Sequence, residues 1–284
     1  MIFTTIDGAT ISYSDTGAGP AAVLLHCSAS SCAQWRSLRE ALQTRFNVIA
    51  PDLYGYGETD AWPGHRPLSL ADEADLVRTV MSNATQPVHL VGHSYGGAVA
   101  LRVALEQPHR VRSLTLIEPV AFYLLRDGDP EQRALMGDVR KIATAVSEAV
   151  ISGDYWGGMA RFVDFWNGAG AWDQTRHKVR MDLARRTAKV ALDFHATMSE
   201  WTPLHSYRDL RSPTLILRGE QAPRTTRAVT DLLARTIPGV RTGTIAGAGH
   251  MAPISHPEAV NAAIVRHLDM NSETGTTPVV RNAA

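Results

Sequence analysis

Cysteine is almost absent: Cys27 and Cys32 are the only two in 284 residues, which excludes a disulfide-stapled scaffold. The pair falls on one expected loop without the co-ligands a metal site needs. It reads as two reduced thiols with no assigned chemistry, a bridge between them being the alternative. Net charge is missing too. The 28 Lys and Arg cancel the 28 Asp and Glu and no basic run stands out, so neither nucleic acid nor a membrane surface is an expected partner. At the N-terminus, Met1 to Gly8 lacks the basic segment and apolar core of a signal peptide. There is no internal repeat, and nothing in the pattern asks for a cofactor or a metal. These absences leave the expectation of a cytoplasmic protein, monomer or homodimer, that handles a small molecule.

A chain of this length that is 44% hydrophobic and 20% charged is a soluble globular protein with one substantial core and room for an insertion. Phe3 to Ile6 and Thr10 to Tyr13 read as strands joined at Asp7-Gly8, a hairpin signal. Ala21 to Leu25, Phe46 to Ala50, Val88 to Val91, Val111 to Ile117, Thr214 to Leu217 and Arg241 to Ile245 read as further strands. Helical patterns alternate with them: Trp35 to Leu42, a capping box opening at Ser69, a run after Gly97, a segment around Val229 to Arg235, and Pro257 to Leu268. That alternation predicts an α/β fold with a mostly parallel sheet flanked by helices. From about Pro119 to Ser206 the pattern is helical without strands, which predicts a cap over the carboxyl ends of the strands. The expected organisation is a core in two parts, 1–118 and 207–270, a helical cap over 119–206, and a flexible tail over 271–284 rich in Asn, Ser, Thr and Gly.

Gly92-His93-Ser94-Tyr95-Gly96 follows the apolar strand Val88 to Val91 and precedes a small, apolar, helix-compatible run. A sharp strand-to-helix turn holds its serine in a strained conformation, and bulk two residues to either side would keep strand and helix apart. Gly92 and Gly96 meet that need. Ser94 is therefore a candidate nucleophile at a helix N-terminus, where free N–H groups favour developing negative charge. Its base must take a proton near neutral pH. His250, in Gly247-Ala248-Gly249-His250-Met251 after the last expected strand, is a histidine placed on a turn that presents it.

With these motifs the chain resembles the α/β-hydrolases, from Leu24 to the final helix. His26-Cys27-Ser28 is similar to the family's His-Gly-x loop, with cysteine in place of glycine. Pro51-Asp52-Leu53-Tyr54-Gly55-Tyr56-Gly57 is similar to its P-D-x-x-G-x-G turn. The resemblance implies that the Ser28 and Tyr95 backbone N–H groups form the oxyanion hole. It also implies an aspartate after the strand Thr214 to Leu217, where Gly219-Glu220-Gln221-Ala222-Pro223 has alanine instead. A histidine base needs an acceptor at its second nitrogen, so either the triad is broken or another carboxylate serves. Glu118, at the end of the strand that reaches Ile117, sits on the same sheet edge as Ser94. Its placement resembles that in one branch of the haloalkane dehalogenases and in the zearalenone-type lactonases. Glu220 is the second candidate.

Phe122, Trp156, Phe162, Trp166 and Met251 are the expected lining of a wide apolar pocket without counter-charges, and the stretch Arg161 to Trp172 an entrance segment. The expected function is hydrolysis of a hydrophobic ester or lactone through an acyl-enzyme. Carbon–carbon bond hydrolase, amidase and cofactor-free perhydrolase are the alternatives on the same residues. A non-catalytic binding protein is the rival from another class.

Overall fold

The computed structural model describes residues 1–272. Its eight strands are β1 (Ile2–Ile6), β2 (Ala9–Thr16), β3 (Ala21–Leu25), β4 (Asn47–Pro51), β5 (Val88–His93), β6 (Val111–Ile117), β7 (Thr214–Gly219) and β8 (Arg241–Ile245). They form one sheet in the order β1-β2-β4-β3-β5-β6-β7-β8. β1 and β2 pair antiparallel across the Asp7-Gly8 turn, where φ is 48° and 86° at the two central residues, the paired positive φ of a type I′ hairpin. β2 meets β4 antiparallel, and β3 through β8 are all parallel.

Parallel strands need both faces covered, and the side chains divide with period two. Ala22, Leu24, Val91, Ile117 and Leu217 face one core with α1 (Arg36–Leu42). The alternate residues Val23, Leu25, Leu90, Leu114 and Ile216 face the other core with α2 (Leu70–Met81) and α3 (Tyr95–Glu106). α2 opens with the expected capping box: the Ser69 hydroxyl accepts from the Asp72 N–H, and the Asp72 carboxylate accepts from the Ser69 N–H.

Between β6 and β7 the described chain is helical: α4 (Pro130–Ser152), α5 (Tyr155–Asn167), α6 (Ala171–Gln174), α7 (His177–Ala184) and α8 (Thr187–Met198). α4 starts on an Asp129–Gln132 capping box with Pro130 in its first turn and stops at left-handed Gly153. α4 packs on both α5 and α8, and their apolar faces join the core that α2 and α3 cover. The core then resumes with α9 (Arg224–Thr236), α10 (Ala252–Ser255) and α11 (Pro257–Ser272). α11 joins α1 on the first face through Val260, Ile264 and Leu268.

Three elements differ from the sequence reading. α9 begins at Arg224 rather than near Val229, because Thr225 and Thr226 are buried although their residue type gives no helical signal. Most of Arg161 to Trp172 belongs to α5 and α6, separated by Gly168 and Gly170, both at positive φ. α11 runs through Ser272, and Asn271 donates back to the His267 carbonyl, so the first two residues of the expected tail are helical. The tail expected over 273–284 lies outside the described residues.

Candidate active site

β5 delivers Ser94 to the carboxyl edge of the sheet. Its φ of 54° and ψ of −115° lie outside both helix and strand regions. The turn closes because Gly92 and Gly96 have no side chains. A Cβ on Gly92 would stand 2.3 Å from the Gly96 carbonyl oxygen, and one on Gly96 would stand 2.4 Å from that of Leu25. The Ser94 N–H donates to Ile117 O at 2.9 Å, which ties the elbow to the end of β6.

Glu118 follows Ile117 with φ of 42°, so like Ser94 it is a non-glycine residue at positive φ. His250, on the loop between β8 and α10, lies between the two. Its Nε2 is 2.9 Å from Ser94 Oγ and its Nδ1 is 2.8 Å from Glu118 Oε2. With Nδ1 protonated toward the carboxylate, Nε2 is free to accept the serine proton. Burial opposes ionisation of Glu118. The hydrogen bond and charge of His250, helped by the Gly219 N–H at 2.9 Å and the Thr226 hydroxyl at 2.8 Å, outweigh it and hold the carboxyl below its ordinary value. Glu220 is exposed and accepts the Gly247 N–H at 2.8 Å.

Several supporting groups carried no sequence signal that singled them out. Gly219 and Thr226 flank the segment where the resemblance implied an aspartate; here that segment supplies donors to the carboxylate from β6. His93 Nε2–H donates to the His250 carbonyl at 2.9 Å, and its Nδ1 accepts from Gln34 at 3.1 Å. Burial, then the neighbouring His250, pushes the His93 imidazole down to about 3, so it is a neutral strut. His26 Nε2 accepts the Leu53 N–H at 3.0 Å and its Nδ1–H donates to Cys27 O at 2.7 Å, binding two loops beside the site. Burial pushes both Cys27 and Cys32 up to about 12; they are free, protonated thiols. The Trp166 indole stacks on the His250 ring, 4.3 Å between centroids and 20° between planes.

Two cavities meet at Ser94. The inner one, about 20 Å³, is lined by Ser28, Tyr95, Phe122, Phe162, Trp166 and Asp193 among others. The outer one, about 240 Å³, is mostly apolar and adds Val179, Leu183, Met251 and Ile254. Ser28 and Tyr95 therefore share a wall with Ser94. Tyr95 opens α3, where its N–H has no intrahelical acceptor, and among the described residues the Ser28 N–H has no hydrogen-bond acceptor. A larger hollow between α4 and α9 is lined by charged side chains such as Arg224 and Glu131 and holds none of these residues.

Two expectations about the pocket need correction. Trp156 lines neither cavity: it packs against Trp172 and His177 under the Arg180 guanidinium on a partly exposed face of the helical segment. Aromatic content could not say which side of a helix it occupies. Nor is the pocket free of charge. Asp193 is in the inner wall, paired with buried Lys189, which also reaches Glu73 Oε1 at 3.1 Å. Burial pulls Lys189 down, but Asp193 and Glu73 outweigh it and keep the ammonium charged. Burial pushes Glu73 up against the pull of Lys189.

Among the described residues no cluster of three or more His, Cys, Asp or Glu side chains is arranged to hold a metal ion, and no helix is long and apolar enough to cross a membrane.

A serine, a histidine and a carboxylate in line at the carboxyl edge of an eight-stranded, mostly parallel sheet define a hydrolase-type scaffold. The family model described as "Alpha/beta hydrolase family" matches residues 22–263, and the chain belongs to that family. It is 28% identical over 254 residues to the pimeloyl-[acyl-carrier protein] methyl ester esterase of Aeromonas hydrophila, covering 88% of this chain and 95% of the esterase. It is also 28% identical over 263 residues to the 2-(acetamidomethylene)succinate hydrolase of Mesorhizobium japonicum, covering 92% of each. The solved thermophilic esterase of Thermogutta terrifontis superposes with a TM-score of 0.73 at 25% identity, over 95% of this chain and 97% of the esterase. Matches at 35% identity, as to an uncharacterized protein of Mycobacterium tuberculosis, span 116 residues and only a third of that relative's length.

Proposed function

We propose that the chain is a serine hydrolase that cleaves an ester or lactone of a hydrophobic small molecule through an acyl-enzyme. The observation that carries this reading is the unbroken hydrogen-bonded line from Glu118 through His250 to Ser94, ending where two cavities meet. The placement of the acid after β6, the feature in which the sequence resembles zearalenone-type lactonases, is part of the proposal.

In the first half-reaction Ser94 Oγ bonds to the carbonyl carbon while its proton passes to His250 Nε2. The carbonyl oxygen takes the negative charge and is met by the Ser28 and Tyr95 N–H groups. Glu118 stabilises the imidazolium. As the tetrahedral carbon collapses, the bond to the leaving oxygen breaks and His250 returns its proton to that oxygen. Water then attacks the acyl carbon, giving its proton to His250 and its hydroxyl to the acid product, and Ser94 recovers the proton. With about 20 Å³ on one side of Ser94 and about 240 Å³ of mostly apolar space on the other, one substrate arm is small and the other larger and hydrophobic.

The esterase relative supports this reading. The 2-(acetamidomethylene)succinate hydrolase relative favours a second one, hydrolysis of a different bond in an anionic substrate, but no lysine or arginine lines the outer cavity to receive a carboxylate. Fluorophosphonate labelling tests the reading: the wild type takes up one label and Ser94→Ala takes up none. Absence of label on the folded wild type would instead favour a binding protein. Mass-spectrometric screening of mixed esters, lactones and amides against both forms then identifies the bond.

A further inference from the structure

Three charged side chains lie buried beside the site in a place the acyl chemistry does not require: Glu73 of α2, and Lys189 and Asp193 of α8. Lys189 joins the two carboxylates. Asp193 Oδ2 accepts the Ser28 hydroxyl at 2.5 Å and the Tyr56 hydroxyl at 2.6 Å. Glu73 Oε1 accepts the Tyr95 hydroxyl at 3.3 Å, and Glu73 Oε2 accepts the Tyr54 N–H at 3.3 Å. The Lys189 ammonium also stands 4.6 Å from the centre of the Tyr56 ring and 4.7 Å from that of Tyr95. Immediately before α8, at its N-cap, Arg186 donates to the Ala29 carbonyl at 2.5 Å. Ala29 itself has φ of 58°, a strained conformation for alanine that the surrounding contacts must hold.

The two residues whose N–H groups face the oxyanion in the reading above are thus both anchored, by their side chains, to one buried ion cluster. Ser28 hangs from Asp193 and Tyr95 from Glu73, with Lys189 between. An apolar trio of equal volume would leave stability unchanged or higher, so stability alone does not account for burying three charges. What such a trio would not do is fix the separation of the two donors.

We propose that α8 sets the oxyanion hole: Asp193 and Lys189 are positioning residues that hold Ser28 and Tyr95 in register, and the hole is complete only while the helical cap is seated. Asp193 and Lys189 act through the two donor residues and need not touch the reacting atoms. The proposal rests on the serine-hydrolase reading.

The test compares wild type with Ser28→Ala, which removes only the hydroxyl link, and Asp193→Asn, which keeps volume and removes the charge. With p-nitrophenyl butyrate as substrate, kcat is expected to fall about 10- to 100-fold in Asp193→Asn while KM moves less than about threefold. Affinity for an alkyl boronic acid, which needs the same donors once it is tetrahedral, should fall by the same factor as kcat. Combining the two substitutions should add little to Asp193→Asn alone. Hydrogen exchange at residues 27–30 reads the clamp without any turnover and should quicken about tenfold in Asp193→Asn. A folded Asp193→Asn protein with wild-type kcat, boronate affinity and loop exchange would overturn the proposal and leave the serine hydrolase intact. If the wild type itself takes no fluorophosphonate and binds no boronate, the hydrolase reading fails, and the oxyanion proposal with it.

Discussion

Two chains of buried polar groups meet at this site, and they are built on opposite principles. Ser94, His250 and Glu118 stand on turns at the end of the sheet, with two of the three at positive φ, and carry one negative charge, on Glu118 at the far side of the His250 ring from Ser94. Glu73, Lys189 and Asp193 stand on two regular helices without backbone strain, and their charges are already paired. The first chain, in the proposed reaction, is used through a change of protonation: Nε2 of His250 faces the Ser94 hydroxyl while its Nδ1–H donates to Glu118. The second is useful only if saturated, since a half-paired ion in that interior is costlier than none. A substitution in the first should therefore be read in turnover, and one in the second in stability and alignment.

The sharpest way to break that division is Glu118→Gln. It keeps shape and leaves His250 without an anionic partner, so kcat is expected to fall about 10⁴-fold with the melting temperature little changed. Glu220→Gln should stay within about twofold of wild type in the same assay. If both variants kept normal turnover, the acid would have to be sought elsewhere.

Next in size is Lys189→Met, which leaves two buried carboxylates facing each other. The expected loss is about 3–5 kcal/mol in urea unfolding. Replacing Glu73, Lys189 and Asp193 together with apolar residues of equal volume should restore wild-type stability or exceed it, while activity stays low. Recovery of activity along with stability would erase the distinction between the two chains.

The effect smallest for any one residue concerns neutral groups. Burial pushes His26 and His89 down to about 4 and His93 to about 3. Because these folded values lie below the ordinary 6.5, the unfolded chain takes up protons first. The stability these imidazoles contribute is whole above about pH 6.5 and is lost as the pH falls toward 4, at about 1.4 kcal/mol per pH unit for each. Denaturant midpoints measured at pH 7, 6 and 5 would check this. A flat profile would mean that the three rings are protonated in the folded protein.

Legibility in the sequence follows the same division. Ser94, His250 and Glu118 could be read because each is pinned by local demands that leave marks nearby: glycines two residues either side, a glycine turn after a strand, a carboxylate at a strand end. The strands were legible for a similar reason, since burial on both faces leaves apolar runs. The ion cluster left no such mark. Ser28 and Asp193 are 165 positions apart, and a lysine four residues before an aspartate on a helix looks like any solvated pair. Trp156 failed in the reverse way: its residue type suggested a pocket, and only packing could show that it faces Trp172 and solvent. Thr226 was invisible because threonine at the start of a helix is unremarkable until a carboxylate from another strand arrives beside it.

The positive φ at Ser94 and Glu118 also bears on thermal stability. A side chain in that region costs of order 1–3 kcal/mol that glycine would not incur. The two positions differ in what glycine would do: at 94 it would relieve the backbone and, under the proposed function, remove the nucleophile, whereas at 118 it would also leave the Gly219 N–H, the Thr226 hydroxyl and His250 Nδ1–H without their acceptor. Of the two, relief of backbone strain is thus open at Ser94 alone, and under the proposed function it is the one place where a stabilising glycine would cost activity.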